Sequence, residues 1–164
     1  MQEIYYHVFR IENHSYLIGA TAKGLVFVGS EDSDNSEIKK FYPEVSLIDD
    51  ESVVEPYQYQ LKQYLQGKRT KFDLPIDITG TDFQRSVWRQ LQRIPYGQTS
   101  NYSKIAKLIN RPKAVRAVGT AIGKNPILMI IPCHRVLTKD GNLGGYRGGL
   151  TMKRSLLELE KKKS

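Results

Sequence analysis

The first half of the chain alternates between apolar and polar positions in three short segments. Residues 6–11, 15–20 and 24–28 have this pattern, and each predicts a β-strand. Because the segments lie so close together, they favour an antiparallel meander. Apolar positions at helical spacing then predict a helix over 53–66 that ends at Gly67.

The pattern changes to a helical period in the second half. Thr81 and Gln84 have capping-box spacing, which predicts the start of a helix with an apolar stripe behind it. Ser100 is the predicted cap of a second helix, and residues 113–124 form a third. The brief turn at 110–112 makes the last two a helix-turn-helix.

These elements predict an α+β protein in two parts. Residues 1–75 form a small domain with an antiparallel sheet, and residues 73–80 serve as a linker. Residues 76–164 form a mostly helical, winged-helix-like domain with the helix-turn-helix. The first domain concentrates no nucleophiles or acids, so we expect it to have a supporting role.

Composition narrows the class of protein. Of 164 residues, 40% are apolar and 26% charged, which is typical of a globular chain. No apolar run reaches the roughly 18 residues of a membrane span, and the first residues do not have the pattern of a signal peptide. The single cysteine excludes an internal disulfide and favours a reducing, cytoplasmic location. Besides this cysteine the chain has only three histidines as soft metal ligands, so a closed zinc site is not expected.

Charge is distributed unevenly along the chain. Residues 1–75 contain 8 basic and 12 acidic residues, a net −4, whereas residues 76–164 contain 17 basic and 5 acidic residues, a net +12. Such asymmetry indicates either a polyanionic partner for the second half or a generic basic surface.

The third predicted helix has two distinct faces. Three β-branched residues point one way and four polar residues the other: Val115, Val118 and Ile122 against Lys113, Arg116, Thr120 and Lys124. Small residues between them would let the helix approach a nucleic-acid groove while its basic side chains reach phosphates. The alternative is a helix packed closely against a neighbour with a solvated basic face.

The only cysteine follows an apolar run, 127–131, that predicts a buried strand. Cys133 is then either a small buried hydrophobe or a nucleophile. The adjacent His134 and Arg135 would favour a thiolate. On an extended backbone the side chains of neighbouring residues point to opposite sides, so His134 would reach the sulfur through a water molecule. Glu158 or Glu160 would orient the imidazole of His134. The glycine-rich stretch 141–149 could bring backbone amides close to a ligand.

At this point the sequence resembles a known family. Asn125-Pro126, Ile131-Pro132-Cys133-His134-Arg135-Val136 and Gly145-Tyr146-Arg147-Gly148-Gly149 closely resemble the O6-alkylguanine-DNA alkyltransferases, also called methylated-DNA–protein-cysteine methyltransferases. The likeness runs from about Phe83 to Glu160. The amino-terminal half is similar only in size and coarse pattern.

The resemblance implies DNA repair by direct reversal. The alkyl group of O6-alkylguanine would pass to Cys133 in one irreversible step that restores guanine and inactivates the protein. The expected partner is double-stranded DNA, bound through the minor groove with the damaged base flipped out. No cofactor is expected, and the protein would act as a monomer. Some relatives bind zinc in the first domain. In this chain that domain contains no cysteine and only two histidines, His7 and His14, so we expect it to bind no metal.

The resemblance also implies roles for individual residues. In the catalytic set, Cys133 would accept the alkyl group, His134 would deprotonate the thiol through a water, and Glu160 would orient His134. Tyr102 would donate a hydrogen bond to the purine, and Asn125 would connect the helix-turn-helix to the active site. On the DNA face, Arg116 would fill the gap left by the flipped nucleotide, alongside Lys113, Ala117, Thr120 and Arg135. The substrate pocket would comprise Tyr146, Val136, Arg147, Gly148 and Trp88, and the carbonyls of Cys133 and Val136 would contact the guanine amine. Arg147 would act through its backbone amide, although its bulk could narrow the range of alkyl groups.

Three other functions compete with this one. A non-catalytic sensor of alkylguanine is disfavoured because such proteins replace the cysteine, commonly with tryptophan. A helix-turn-helix regulator with a sensing cysteine would need a further DNA-binding or metal-bearing segment. A thiol hydrolase would need an acyl-enzyme pocket and a separate triad histidine, and neither is evident.

Overall fold

The structure is a computed structural model that describes residues 2–163 in two compact units, one ending at Ile78 and the other beginning at Thr79. Part of the predicted linker belongs to the first unit. Ile76 forms a parallel bridge with Leu25, and Asp77 accepts a hydrogen bond from Thr21. These contacts place the division slightly beyond residue 75.

The first unit is built on a four-stranded sheet. Its strands are β1 (Glu3–Ile11), β2 (His14–Thr21), β3 (Gly24–Val28) and β4 (Ser46–Asp49), in the order β3-β2-β1-β4. The antiparallel β1-β2-β3 meander confirms the prediction. The sheet is nevertheless mixed, because β4 runs parallel to β1. Parallel strands need a crossover connection, and the short β4 is mostly exposed, so its four residues have no alternating pattern.

Two helices complete this unit, α1 (Asn35–Phe41) and α2 (Glu51–Leu65). Helix α2 is the helix predicted at 53–66, and Gly67 follows it at φ 73°. Helix α1, capped by the Asp34 side chain, was not predicted. It buries Ile38 in a core shared with sheet residues, namely Ile4, Leu17, Val26 and Phe27.

The described part of the second unit, residues 79–163, contains four α-helices: α3 (Asp82–Leu91), α4 (Tyr102–Leu108), α5 (Val115–Gly123) and α6 (Leu150–Lys163). The predicted capping box is present, since Thr81 and Gln84 exchange side-chain-to-backbone hydrogen bonds of 3.0 Å. Helices α4 and α5 form the helix-turn-helix. A two-stranded parallel sheet lies beside them, β5 (Ser100–Asn101) with β6 (Val136–Leu137).

The predicted cap of α4 was wrong by one residue. Ser100 lies in β5, and the side chain of Asn101 accepts the hydrogen bond from the amide of Lys104 at 2.8 Å. Because Ser100 is paired with Val136 in the small sheet, the capping role passes to the next residue with a suitable oxygen.

The apolar run at 127–131 is buried, as expected, but it is not a strand. It forms successive turns in which the amide of Ile131 bonds to the carbonyl of Ile127 at 3.1 Å and Met129 has φ 72°. Pro126 and Pro132 flank the run, and neither has an amide with which to extend a ladder. Five buried apolar side chains are therefore packed in a compact arch.

Among residues 2–163, no helix combines the length and the apolar character needed to cross a membrane.

Candidate active site

Asn125, just after α5, organises the arch that leads to the cysteine. Its Oδ1 accepts from the amide of Ile127 at 2.9 Å, and its Nδ2 donates to the carbonyl of Ile131 at 2.9 Å. The same Nδ2 lies 3.2 Å from the Sγ of Cys133. One buried amide thus satisfies the backbone at both ends of the arch and touches the sulfur.

Cys133 is a buried free thiol whose surroundings act on its pKa in opposite directions. Burial, the largest effect, raises the pKa because a thiolate is costly to desolvate. The Asn125 hydrogen bond lowers it, and so do the charges of Arg147 and Lys153. The sequence predicts that His134 and Arg135 favour the thiolate, but the cations that act on the sulfur, Arg147 and Lys153, come from more distant parts of the sequence.

His134 and Arg135 both turn towards Glu160 on α6. Residues Cys133–Arg135 form a 3₁₀ turn rather than extended backbone, and His134 Nε2 lies 2.6 Å from Glu160 Oε2. Burial lowers the pKa of His134, whereas the Glu160 hydrogen bond raises it. Since the carboxylate accepts from Nε2, the proton belongs there and Nδ1 is the basic nitrogen.

Arg135 does not belong to a DNA-binding face. It is 7% exposed, its Nε and Nη2 donate to Glu160 at 2.8 and 3.0 Å, and its Nη1 donates to the carbonyl of Ile94 at 2.6 Å. The expectation that it reaches DNA was wrong because a carboxylate inside the unit holds it. Its role is to secure Glu160, which also accepts from the amide of Gly97 at 3.3 Å.

A cavity of about 270 Å³ opens at the sulfur. It is lined by α4, α5, the cysteine and the glycine-rich loop, through Tyr102, Gly119, Ile122, Gly123, Cys133, Gly145, Tyr146 and Arg147. Burial, and then the charge on Cys133, raise the pKa of Tyr102, so its phenol keeps the proton at neutral pH and can donate a hydrogen bond. The structure therefore brings Cys133, Tyr102, Tyr146 and Arg147 to one cavity.

The glycine-rich loop approaches Tyr102 closely. Gly144 has φ 71°, and a Cβ there would lie 2.9 Å from the Tyr102 hydroxyl oxygen. Both the backbone conformation and the lack of space require glycine at this position.

Lys153 holds this loop from inside, and sequence reasoning missed it. Its side chain is fully buried, and Nζ donates to the carbonyls of Val136 at 2.7 Å, Gly145 at 3.1 Å and Leu143. Burial lowers its pKa to about 8. The available signal was its position seven residues before Glu160, which places both on one face of α6.

Three predicted pocket residues do not line the cavity. Trp88 is buried on α3, where its Nε1 donates to the carbonyl of Ala121 at 2.9 Å and so supports α5. Val136 is buried in β6, and its carbonyl accepts from Lys153. Gly148 lies against Met152 and Tyr146, where an added Cβ would come within 2.7 Å of both side chains. All three support the cavity from behind its lining.

The opposite face of α5 is exposed. Arg116, Ala117 and Thr120 lie there, and Lys113 is exposed just before the helix. Together with the start of α3 these residues border a groove of about 590 Å³. Val118 and Ile122 are buried, which confirms the predicted division of the helix into two faces.

Comparison with known proteins decides the family. Residues 82–162 match the family described as 6-O-methylguanine DNA methyltransferase, DNA binding domain, and residues 4–78 match 6-O-methylguanine DNA methyltransferase, ribonuclease-like domain. The chain belongs to the O6-methylguanine DNA methyltransferase family. The match includes the amino-terminal unit, for which the sequence had indicated similarity only in size and coarse pattern.

Whole-length relatives agree with this family membership. The inducible methylated-DNA–protein-cysteine methyltransferase of Bacillus subtilis (strain 168) is 48% identical, with 98% of this chain and 92% of that protein aligned. A methylated-DNA–protein-cysteine methyltransferase of Methanosarcina mazei is 41% identical over 96% of this chain and 97% of its own length.

A solved structure of this family has the same architecture. Mycobacterium tuberculosis OGT in complex with DNA has a TM-score of 0.84 and 36% identity, with 98% of this chain and 94% of that one aligned. The α+β fold predicted for this family member is therefore confirmed.

Proposed function

We propose that the protein repairs DNA by transferring the alkyl group of O6-alkylguanine to Cys133, in a single turnover that consumes the protein. The observation that carries the assignment to Cys133 is its position: the sulfur lines the cavity and receives the Asn125 hydrogen bond. A soft thiolate suits attack on an alkyl carbon, and the resulting thioether does not hydrolyse.

Proton movement follows from the buried Glu160–His134 pair. The Nδ1 atom of His134 takes the thiol proton through a bridging water, and Glu160 stabilises the imidazolium that forms. The sulfur then forms a bond to the alkyl carbon as the carbon–O6 bond breaks. The electron pair passes to guanine, where Tyr102 donates a hydrogen bond to the purine as negative charge develops.

The partner is DNA, and the cavity size indicates how it binds. At about 270 Å³ the cavity is slightly smaller than a usual ligand pocket of ~300–1,000 Å³, so it takes one base rather than a duplex segment. A base inside a duplex is out of reach of a buried thiol, so the nucleotide rotates out. Helix α5 enters the minor groove, where Arg116 fills the gap that the nucleotide leaves. The protein acts as a monomer in the cytoplasm.

The mass of the intact protein after incubation with a duplex oligonucleotide containing O6-methylguanine tests the function. We expect a gain of one methylene, saturating at one per protein and absent in Cys133→Ser. Tight, lesion-selective binding without a mass gain would instead assign the protein to the sensor class. If neither appears, the proposal is wrong.

A further inference from the structure

The side chain of Arg147 enters the site, whereas the sequence indicated a role for its backbone only. It lines the cavity beside Cys133, and its Nη2 donates to the carbonyl of Asn125 at 2.9 Å. Asn125 also donates to the sulfur. The guanidinium is therefore fixed to the residue that holds the nucleophile, and its charge acts on the sulfur.

The charge of Arg147 stands out among the described residues that line this cavity. The other lining residues are glycines, Ile122, two tyrosines and Cys133 itself, with no carboxylate among them. Lys153 also acts on the sulfur, but three backbone carbonyls surround its Nζ, and it does not line the cavity. A fixed cation in a partly enclosed site attracts an anion more strongly than one fully exposed to water.

The bulk of Arg147 restricts the size of the alkyl group that the cavity can hold. The cavity measures about 270 Å³, slightly less than a usual ligand pocket of ~300–1,000 Å³, and the long side chain of Arg147 occupies room that a small residue would leave open. A large neutral alkyl group would have to displace a side chain that is hydrogen-bonded to Asn125.

We propose that Arg147 makes this site selective for small anionic alkyl groups on guanine O6, of which carboxymethyl is the simplest. This inference rests on the proposed function. A thiolate attacking a group that carries a carboxylate meets like-charge repulsion, and the guanidinium offsets it. The sulfur bonds to the methylene carbon, the carbon–O6 bond breaks, and its electron pair leaves with guanine. The carboxylate stays on the new thioether, paired with Arg147 before and after transfer.

Single-turnover rates on three otherwise identical duplexes test this inference. They carry O6-methylguanine, O6-carboxymethylguanine and O6-carbamoylmethylguanine, the last being a neutral group of nearly the same shape as carboxymethyl. The readout is the ratio of the carboxymethyl rate to the carbamoylmethyl rate, which a general loss of folding or DNA binding would not move. We expect a ratio above one for the wild type, at least about tenfold lower for Arg147→Gln, and largely restored for Arg147→Lys.

The control is Arg154→Gln, an exposed arginine on α6, which should leave all three rates unchanged. An equal ratio in wild type and Arg147→Gln would overturn the inference. If Arg147→Gln does not fold, a wild-type ratio at or below one overturns the inference, and a ratio above one that Arg147→Lys largely retains supports it. Absence of methyl transfer by the wild type would instead count against the proposed function itself.

Discussion

Asn125 shows how much one side chain does at the residue scale. A buried polar group is costly unless it is hydrogen-bonded, and this amide bonds to two backbone groups of the arch and to the sulfur of Cys133. It therefore shapes the arch and stabilises the thiolate at once. Burial raises the pKa of Cys133, and the Asn125 donor at 3.2 Å lowers it, which favours the thiolate.

Asn125→Asp tests the effect on the thiolate. The new carboxylate keeps an acceptor for the Ile127 amide, but it loses the donor to the Ile131 carbonyl and to the sulfur. Its negative charge beside the sulfur raises the pKa of Cys133 further. We expect alkyl transfer at about pH 7 to slow at least tenfold, which corresponds to one pKa unit, and we expect the deficit to shrink only as the pH approaches the pKa of the wild-type thiol, which burial raises. Rates from oligonucleotide assays from about pH 7 upward, beside a titration of the wild-type thiol, provide the measurement.

The matched control is Asn142→Asp, which adds the same charge at an exposed position and should leave the rate of alkyl transfer unaltered. A deficit that does not shrink as the pH passes the pKa of the wild-type thiol would show that Asn125 acts through folding and not through ionisation of the thiol.

At the scale of elements, α5 forms a wall between two spaces. Gly119, Ile122 and Gly123 face the cavity, whereas Ala117 and Thr120 border the groove on the other side. Glycine and alanine make the helix thin, so that a base in the cavity and a duplex against the exposed face can be close together. Trp88 fixes the helix by donating to the carbonyl of Ala121.

Arg116 is exposed near the start of this wall, where it can occupy the space of a rotated nucleotide. We expect Arg116→Ala to slow repair of duplex DNA by about 10–100-fold, because unstacking a base costs a few kcal/mol that the side chain partly offsets. Reaction with the free O6-alkylguanine base should change by less than about threefold, since no duplex needs to open. Equal losses on the two substrates would count against this role.

Charge acts at the scale of the whole molecule. The chain has a formal net charge of +8, with the excess of basic residues after residue 75. Lys113 and Lys124 border the groove beside α5 and are exposed. Lysines in such positions bind phosphates and release counterions, so affinity depends on salt concentration.

The double variant Lys113→Gln/Lys124→Gln should reduce the salt dependence of duplex binding. Each lost phosphate contact lowers the slope of log affinity against log salt by about 0.9, so the expected decrease is about 2. Lys39→Gln/Lys40→Gln on α1 removes the same charge from exposed positions of the other unit and should leave the slope unchanged. Similar decreases in both variants would mean that net charge, and not this face, controls binding.

Local patterns explain which parts of the fold could be predicted. The β1–β3 meander, the capping box of α3 and the two faces of α5 depend on residues a few positions apart, so periodicity and side-chain chemistry identify them. Strand β4 and the arch at 127–131 were missed or misassigned. The first needs a partner about 40 residues away, and the second is shaped by the Asn125 side chain instead of a strand ladder.

The sequence by itself determined the family, the candidate nucleophile and the basic excess of the second half, because Cys133 lies in a highly specific local motif and charge is a sum over residues. Only the tertiary structure decided what each neighbour of the cysteine does. It turned Arg135 inward to Glu160, brought Lys153 under the glycine-rich loop and placed Arg147 on the cavity wall. Burial and pairing depend on groups far apart in the chain, and a local pattern contains no information about the distances between them.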